Sequence, residues 1–162
     1  MNGHTEVGRS LAVTKGETME FAGKTALVTG SGAIGGLGHA TARVLAAGGA
    51  DLILTGTDPQ RGAQVVEDLR AADGESIGVV RFVAADVSDP ASVRQLAEDA
   101  GAVDILINNA SVMTFSPTTE QGLAGYDAAF AVNVRAPAFL ASDRAGYMTG
   151  AIAADDGGRT AI

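Results

Sequence analysis

The sequence predicts an α/β fold in which a parallel sheet is doubly wound and carries helices on both faces. Short apolar segments alternate with helical segments from residue 24 to residue 142, which indicates parallel strands joined through helices. These strands are apolar throughout rather than at every second position, as is typical of a sheet covered on both faces. Right-handed crossovers between such strands give the doubly wound arrangement.

Composition bounds the function before any motif is considered. The chain has 162 residues, 46% of them hydrophobic, which suits one domain with a single core. Its net charge of -8 argues against nucleic acid and anionic membrane partners. The absence of cysteine excludes disulfides and thiolate-ligated metal, and no metal site is predicted. No apolar run approaches the roughly 18 residues of a membrane span, so a cytoplasmic protein is expected.

Three segments divide the chain. Residues 1–20 are polar and without periodicity, and we expect a disordered N-terminal extension there. Residues 21–142 hold the alternating elements and form one α/β domain. In residues 143–162 the alternation stops, and we expect a short strand followed by a tail.

The first half of the domain reads strand, helix, strand, helix. "KTALVTG" (24–30) and "DLILTG" (51–56) are the strands. The first helix ends at Gly48, and the second runs from Pro59 to Ala72 with Asp58 as its cap. The apolar face predicted for the first helix consists of Leu37, Ala40, Thr41, Val44 and Leu45.

The second half continues the pattern. Residues 76–86 form a third strand, 88–100 a capped helix, and 103–110 a fourth strand. A further helix over 126–142 contains Pro137, which should kink or weaken it. One short strand is expected at 150–153.

The turn after the first strand is rich in glycine and admits two registers. Gly30, Gly32 and Gly35 satisfy Gly-x-Gly-x-x-Gly, whereas in the second register the helix opens at Gly36-Leu37-Gly38. In both, small residues let backbone N–H groups approach a pyrophosphate at the positive end of the helix. The turn therefore predicts a pyrophosphate site, which makes residues 21–142 a dinucleotide-binding, Rossmann-like domain.

The stretch "KTALVTGSGAIGGLGHATARVLAAGGADLILTG" resembles the opening of the short-chain dehydrogenase/reductase family. That family carries Thr-Gly-x-x-x-Gly-x-Gly, and the resemblance favours the second register. Five residues separate Gly30 from Gly36 where the family has three, so the loop either bulges outward or misplaces the phosphate. The cofactor-binding residues that the resemblance implies in this loop are Gly30, Ser31, Gly32, Gly36, Leu37 and Gly38.

Other positions follow from the same resemblance. Asp86 and Val87 match the pair beside the adenine, and Asn108 and Ala110 match the Asn-Asn-Ala-Gly motif, whose last member is here Ser111. Asn133 matches the helix asparagine of the family's proton relay and is the one catalytic candidate.

The choice between NAD and NADP stays open at the end of the second strand. Gly56 stands where the family most often places its NAD-selecting acid, and Thr57 where it places its NADP-selecting arginine. Asp58 either reaches the ribose or only caps its helix. His39, at the start of the first helix, is expected to be a solvated surface residue.

The family's catalytic pair is absent. A Tyr-x-x-x-Lys motif supplies the proton in the family, because a nearby cation lowers the pKa of the phenol. The chain has two lysines, Lys15 and Lys24, and two tyrosines, Tyr126 and Tyr147, and neither tyrosine is followed by lysine four residues later.

The family's block between strand four and the C-terminal strand looks deleted, with the two sides fused near residues 139–142. An incomplete, Rossmann-like doubly wound sheet is therefore expected. Its orphaned last strand should dock on the open edge of strand four or stay irregular, with docking favoured. The preceding helix should expose Phe130, Val134 and Leu140.

Three functions stay open at this point. The chain is an NAD(P)-dependent oxidoreductase by resemblance, a cofactor-binding protein inactive in hydride transfer, or an interaction module that associates with full-length relatives. The resemblance leaves its enzymatic activity undecided. The expected partners are the dinucleotide and either a second copy or a relative.

Overall fold

The computed structural model describes residues 19–73, 78–113, 122–142 and 148–154. Residues 1–18 of the expected disordered extension lie outside the described residues, as do Tyr147 and residues 155–162. The strands are β1 (Thr25–Val28), β2 (Asp51–Gly56), β3 (Val80–Ala84), β4 (Val103–Asn108) and β5 (Met148–Ala154). The α-helices are α1 (Leu37–Ala47), α2 (Pro59–Asp73), α3 (Pro90–Ala100), α4 (Leu123–Phe130) and α5 (Ala136–Leu140), with a π-helical turn over Ala131–Arg135 between the last two.

The five strands form one parallel sheet in the order β3-β2-β1-β4-β5. The direction of winding reverses between β1 and β4, so the predicted doubly wound sheet is confirmed. The orphaned strand docks as expected: β5 pairs with β4, and Asn108 lies opposite Ala154 at the carboxyl end. Pairing with β5 gives the free edge of β4 partners for its N–H and C=O groups.

Two apolar layers cover the sheet. On one face, β1 and β2 pack against α1 and α2, with Leu54, Val65 and Leu69 fully buried. On the other face, Leu27 and Ile53 pack with Leu96 of α3 and Leu140 of α5. Because alternate residues of one strand enter opposite layers, strands buried on both faces are apolar throughout.

Helix α1 buries a different face from the one predicted. Leu37 and Val44 are more than half exposed, whereas Gly38, Ala42 and Ala46 join Leu45 in the buried face. The prediction for this helix was wrong, apart from Leu45, because it gave priority to large apolar residues. The helix lies close to the sheet and the loop, so its inner face is made of small residues.

The last helix is longer than predicted and is not broken at Pro137. It begins at Leu123 and passes through the π-turn, where the N–H of Ala136 donates to the carbonyl of Ala131, five residues back. Proline at 137 cannot donate to a carbonyl one turn earlier, and the wider turn immediately before it accommodates that loss. Leu140 is 1% exposed, so its predicted exposure was wrong, whereas Phe130 and Val134 are each 47% exposed as expected.

Candidate functional site

A cavity of about 390 Å³ opens at the carboxyl ends of the strands. It lies at the point where the strand order reverses, which is where ligands bind in open α/β sheets. Its lining comes from the segments that follow β1, β2, β3 and β4, together with α1 and the π-turn. The lining residues are Gly30, Leu37, Gly38, Thr55, Gly56, Thr57, Ala85, Val87, Asn109, Ala110, Ser111, Val112 and Val132.

A larger cleft of about 800 Å³ lies elsewhere, between α2 and the edge strand β3. Apolar side chains and Arg70 line much of it, and the Arg70 guanidinium is already engaged with the carbonyl of Val80 at 2.8 Å. The cleft lies along the outer edge of the sheet, at β3, and no residue of the glycine-rich turn lines it. Its size alone therefore gives it no claim to be the functional site.

The first half of the glycine-rich loop is held below the cavity by Ser31. This residue is fully buried, its N–H donates to the carbonyl of Thr55 at 3.0 Å, and its hydroxyl donates to the carbonyl of Val28. The same hydroxyl accepts from the N–H of Thr55 at 3.1 Å. Ser31 therefore extends the pairing of β1 with β2 by one step and does not itself line the cavity.

The glycines that line the cavity are Gly30 and Gly38. A Cβ atom at Gly30 would lie 2.6 Å from the Cα of Ala110, and the φ angle of Gly30 is +66°. A Cβ atom at Gly38 would lie 2.6 Å from Nδ2 of Asn109 and 3.0 Å from the carbonyl of Gly30. Both positions exclude a side chain because the loop, the helix and the segment after β4 meet there.

Gly32, Gly35 and Gly36 do not line the cavity. Gly32 lies 3.8 Å, measured to its would-be Cβ, from the Phe82 ring, and Gly36 is the N-cap of α1. The geometry thus favours the register in which the helix opens at Gly36-Leu37-Gly38. The five-residue loop between Gly30 and Gly36 turns outward, and Ile34 at its tip is 56% exposed.

The first turn of α1 presents backbone donors to this cavity. The N-cap Gly36 has no side chain that could accept from them. Among the hydrogen bonds of the described residues, none uses the N–H of Leu37, Gly38 or His39. Such unpaired donors, added to the positive end of a helix, suit an anion.

Thr29 and Asn109 fix the loop to the segment after β4. The Thr29 hydroxyl accepts from the N–H groups of Asn109 and Ala110, each at 3.0 Å. In return, Nδ2 of Asn109 donates to the carbonyls of Thr29 at 2.8 Å and Gly30 at 3.0 Å. These four bonds hold the two cavity walls that carry Gly30 and Ala110 in one fixed relation.

Asn133, on the π-turn, positions the next part of that wall. Its Oδ1 accepts from the N–H of Val112 at 3.0 Å, and its Nδ2 donates to the carbonyl of Val112 at 2.9 Å. Both polar atoms of the side chain are therefore engaged with backbone in this structure. The proton-relay role expected from the resemblance stays a prediction.

The two acidic candidates, Asp58 and Asp86, accept hydrogen bonds from residues that follow them closely in sequence. Oδ1 of Asp58 accepts from the N–H groups of Gln60 and Arg61, so Asp58 caps α2. Oδ1 of Asp86 accepts from the N–H and the hydroxyl of Ser88. Neither carboxylate lines the cavity, whereas Val87 beside Asp86 does.

Asn108 and Ala110 differ in their surroundings. Ala110 lines the cavity, but Asn108 lies one residue below it at the end of β4. Nδ2 of Asn108 is buried and has no hydrogen-bond partner among the described residues. A buried amide without a partner costs free energy, which marks Asn108 as a position where a further group is expected.

His39 is not a surface residue, so its predicted solvation was wrong. The residue is 4% exposed, and its Nδ1 accepts from the N–H of Gly35 at 3.1 Å. Its Nε2 lies 2.9 Å from Oδ2 of Asp68 on α2, too far off the N–H direction to count as an aligned hydrogen bond. The inner face of α1 lies one residue away from the predicted face, which turns His39 inward.

The residues that the sequence did not single out come from the ends of neighbouring strands. Thr55 and Ala85 each stand at or just after the carboxyl end of a predicted strand. That position was the available signal, because the carboxyl ends of parallel strands meet at one edge of the sheet. Val132 gave no such signal, since only the packing of the π-turn brings it to the cavity. No group of three or more His, Cys, Asp or Glu side chains that could hold a metal ion occurs in the described parts of the chain.

Comparison with known proteins identifies the family. The profile of the family described as "short chain dehydrogenase" matches residues 24–159. An uncharacterized oxidoreductase of Thermotoga maritima is 32% identical over 122 residues, which cover 75% of this chain and 47% of that protein. The 3-oxoacyl-(acyl-carrier-protein) reductase FabG of Escherichia coli is 42% identical over 98 residues, covering 58% of this chain and 36% of that one.

Solved structures agree with this assignment. A metagenomic short-chain oxidoreductase in complex with NADP superposes with a TM-score of 0.67 at 34% identity, covering 78% of this chain and 56% of that one. A Burkholderia phymatum short-chain dehydrogenase/reductase in complex with NAD gives a TM-score of 0.67 at 37% identity, with coverages of 80% and 45%. This chain belongs to the short-chain dehydrogenase family. It spans about half or less of the length of the relatives named here.

Proposed function

We propose that this chain binds NAD(H) or NADP(H) in the cavity at the carboxyl ends of its strands. The observation that carries the proposal is the first turn of α1, where the N–H groups of Leu37 and Gly38 have no acceptor and both residues line the cavity beside Gly30. A pyrophosphate supplies the negative charge and the acceptors that this turn lacks. The complexes of the two structural relatives with NADP and NAD support the same assignment.

The residues at the end of β2 are compatible with either NAD(H) or NADP(H). Gly56 and Thr57 line the cavity, and neither carries a charge. The one carboxylate close to them in sequence, Asp58, is committed to the N-terminus of α2. Neither Gly56 nor Thr57 carries a negative charge that would repel a 2′-phosphate, and neither carries a carboxylate that would form a charge-assisted hydrogen bond with a free 2′-hydroxyl.

We further propose that the bound cofactor is not turned over by this chain. A nicotinamide exchanges a hydride with its substrate, and the matching proton needs a donor with a pKa near neutrality. Tyr126 is 58% exposed on α4, and Phe130 stands where the family's lysine would follow. Lys24 lies before the amino end of β1 and pairs with Asp104, at the opposite end of the strands from the cavity. Loss of a positioned acid costs about 10²–10⁴ in rate.

A second candidate function is association with a copy of this chain or with a full-length relative. One observation favours it, namely an exposed apolar stripe on α4 and the π-turn. Leu123 is 82% exposed, and Tyr126 stacks on Phe130 with ring centroids 6.0 Å apart. Exposed apolar patches of this kind mark contact surfaces.

A pair of aspartate substitutions tests the cofactor site. Gly36 and Gly122 are both uncapped N-cap glycines with φ near -75° and extended ψ, so aspartate can cap either helix. A Cβ atom at Gly36 lies 3.1 Å from the carbonyl oxygen of Ala33, which must shift slightly, whereas at Gly122 it meets nothing within 4 Å. In Gly36→Asp the new carboxylate occupies the donors that a phosphate needs and repels it. In Gly122→Asp the same change is made at a helix that contributes no residue of that turn.

Fluorescence titration with NADH and NADPH measures the outcome. We expect binding by the wild type and by Gly122→Asp, and at least a tenfold weaker affinity in Gly36→Asp with the melting temperature retained. Equal affinities in the two variants would show that the first turn of α1 does not hold the phosphate. A wild type that binds neither cofactor would refute the proposal outright.

A further inference from the structure

The outer half of the glycine-rich loop has little to hold it in place. Residues 33–36 form a turn closed by a bond from the N–H of Gly36 to the carbonyl of Ala33 at 3.0 Å. Gly35 within this turn has a φ angle of +76°, and a Cβ atom there would meet nothing within 4 Å. Packing therefore does not fix the Gly35 peptide, although the first turn of α1 begins at the very next residue.

One side chain bonds to that peptide. Nδ1 of His39 accepts from the N–H of Gly35 at 3.1 Å, and the imidazole is almost completely buried. An Nδ1 that accepts must carry no proton, so the neutral ring has its proton on Nε2. Nε2 lies 2.9 Å from Oδ2 of Asp68, off the line of its N–H, and a negative charge at that distance favours the proton on Nε2.

The bond runs from the first turn of α1 back to the loop. His39 stands two residues after Leu37 on α1, so its ring is carried by the same helix whose first N–H groups open onto the cavity. Asp68 belongs to α2, which packs on the same face of the sheet. The loop is thus held by the His39–Gly35 hydrogen bond to α1 and, through the contact of His39 with Asp68, to α2. Both helices are fixed by the core.

We propose that His39 is a positioning residue for phosphate binding, oriented by Asp68 and acting through the Gly35 peptide. It holds the outward loop in the one conformation that leaves the N–H groups of Leu37 and Gly38 free for a pyrophosphate. Without it, the loop samples conformations in which those donors are covered or turned away. The inference rests on the proposed cofactor site.

Two substitutions separate the hydrogen bond from packing. Both His39→Ala and His39→Asn remove ring volume from a buried position, so both lose packing. Only asparagine keeps an acceptor, its Oδ1, at the place of Nδ1. A third variant, Asp68→Ala, removes the orienting carboxylate from a side chain that is 39% exposed and so perturbs the core little.

NMR spectroscopy gives readouts that do not depend on the cofactor. In the wild type we expect an imidazole ¹⁵N spectrum with the proton on Nε2, and slow hydrogen exchange at the Gly35 amide. Exchange should accelerate in His39→Ala, return toward the wild-type rate in His39→Asn, and be intermediate in Asp68→Ala. A proton on Nδ1, or equal exchange in the two His39 variants, would overturn the proposal.

Titration with NADPH and NADH then connects the loop to binding. We expect the dissociation constant to rise about five- to tenfold in His39→Ala, the size of one lost hydrogen bond, and to recover most of that loss in His39→Asn. Unchanged affinity in His39→Ala, despite fast exchange at Gly35, would also overturn it. A wild type that binds no cofactor refutes the proposed function instead, and the exchange data then decide alone whether His39 fixes the loop.

Discussion

At the scale of single residues, Thr29 links the first and fourth strands beneath the cavity. This residue is 2% exposed, and its hydroxyl accepts from two backbone N–H groups of the segment after β4. Valine has nearly the same shape but no acceptor, so Thr29→Val leaves the N–H of Ala110 without a partner, whereas the N–H of Asn109 keeps the carbonyl of Ile107 at 3.1 Å. The orphaned group costs about 1–3 kcal/mol.

We therefore expect Thr29→Val to lower the free energy of unfolding by about 1–3 kcal/mol. Thr29→Ser keeps the hydroxyl and serves as the control, with a loss of about 1 kcal/mol for its missing methyl group. Urea denaturation of the three proteins measures these values. Equal losses in the two variants would show that the hydroxyl is not what joins the strands.

Asp104 provides a test in acid. The N–H of Thr25, donating at 2.9 Å, and the ammonium of Lys24 at 3.2 Å hold the pKa of this carboxyl below its ordinary value of 3.8. A depressed folded-state pKa means that the stabilisation is present above the unfolded value and is lost as the pH falls through the folded one. The stabilisation that this carboxylate provides is therefore lost below about pH 4.

The expected result is a smaller difference in melting temperature between wild type and Asp104→Asn at pH 2.5 than at pH 6. Protonation removes the advantage of the carboxylate from the wild type, while the amide of the variant does not titrate. Thermal unfolding followed by circular dichroism at a series of pH values gives the comparison. A difference independent of pH would mean that the carboxylate charge contributes nothing there.

Sequence reasoning found some site residues and missed the roles of others for a physical reason. Gly30, Leu37, Gly38, Val87 and Ala110 line the cavity as the predicted phosphate and adenine positions imply. Their signal was local, because each stands just after an apolar strand or at the start of the helix that follows it. The inward orientation of His39 depends on which face of α1 packs against the sheet. Gly38 and Ala42 set that face because their small side chains let the helix approach closely, and not because they are strongly hydrophobic.

At the scale of elements, the alternation of strands and helices was readable because each strand is apolar and bounded by turn residues. The cap of α3 was equally legible: both carboxylate oxygens of Asp89 accept from backbone N–H groups, with Pro90 at the first helical position. The π-turn was not predictable. It arises where Pro137 meets a helix that continues past it, and local propensity gave only a kink.

The exposed apolar stripe on α4 and the π-turn gives a prediction at the scale of elements. Phe130 and Val134 are each 47% exposed, so Phe130→Gln combined with Val134→Gln should reduce association between chains without lowering the melting temperature of the monomer. Sedimentation velocity over a range of concentrations measures the association. Leu140→Gln on α5 is the matched control.

The control works because Leu140 is 1% exposed within the layer under α3. Glutamine there buries an unpaired amide and should destabilise the fold by about 2–5 kcal/mol, mainly through lost packing. Association that is unchanged in the double variant would assign the contact surface elsewhere. A double variant that unfolds as readily as Leu140→Gln would contradict the exposure of the stripe.

At the scale of the whole molecule, a chain that spans about half the length of the relatives it matches still assembles one parallel sheet, with a cavity at its switch point. The position of β5 follows from the open edge of β4, which is why docking could be predicted. No helix in the described ranges is long and apolar enough to cross a membrane. All the residues that line the cavity lie between Gly30 and Val132, within the part of the chain that matches the family.

The central claim is that this chain binds the cofactor but does not catalyse hydride transfer. The most direct measurement follows absorbance at 340 nm with NADH and NADPH against a panel of ketones and aldehydes. It uses the purified wild-type chain at a concentration where the fluorescence titration shows saturation. We predict cofactor binding with no turnover above that of the Gly36→Asp sample prepared in parallel. Turnover that rises with the concentration of the wild-type chain, and is absent from the Gly36→Asp preparation, would contradict the account.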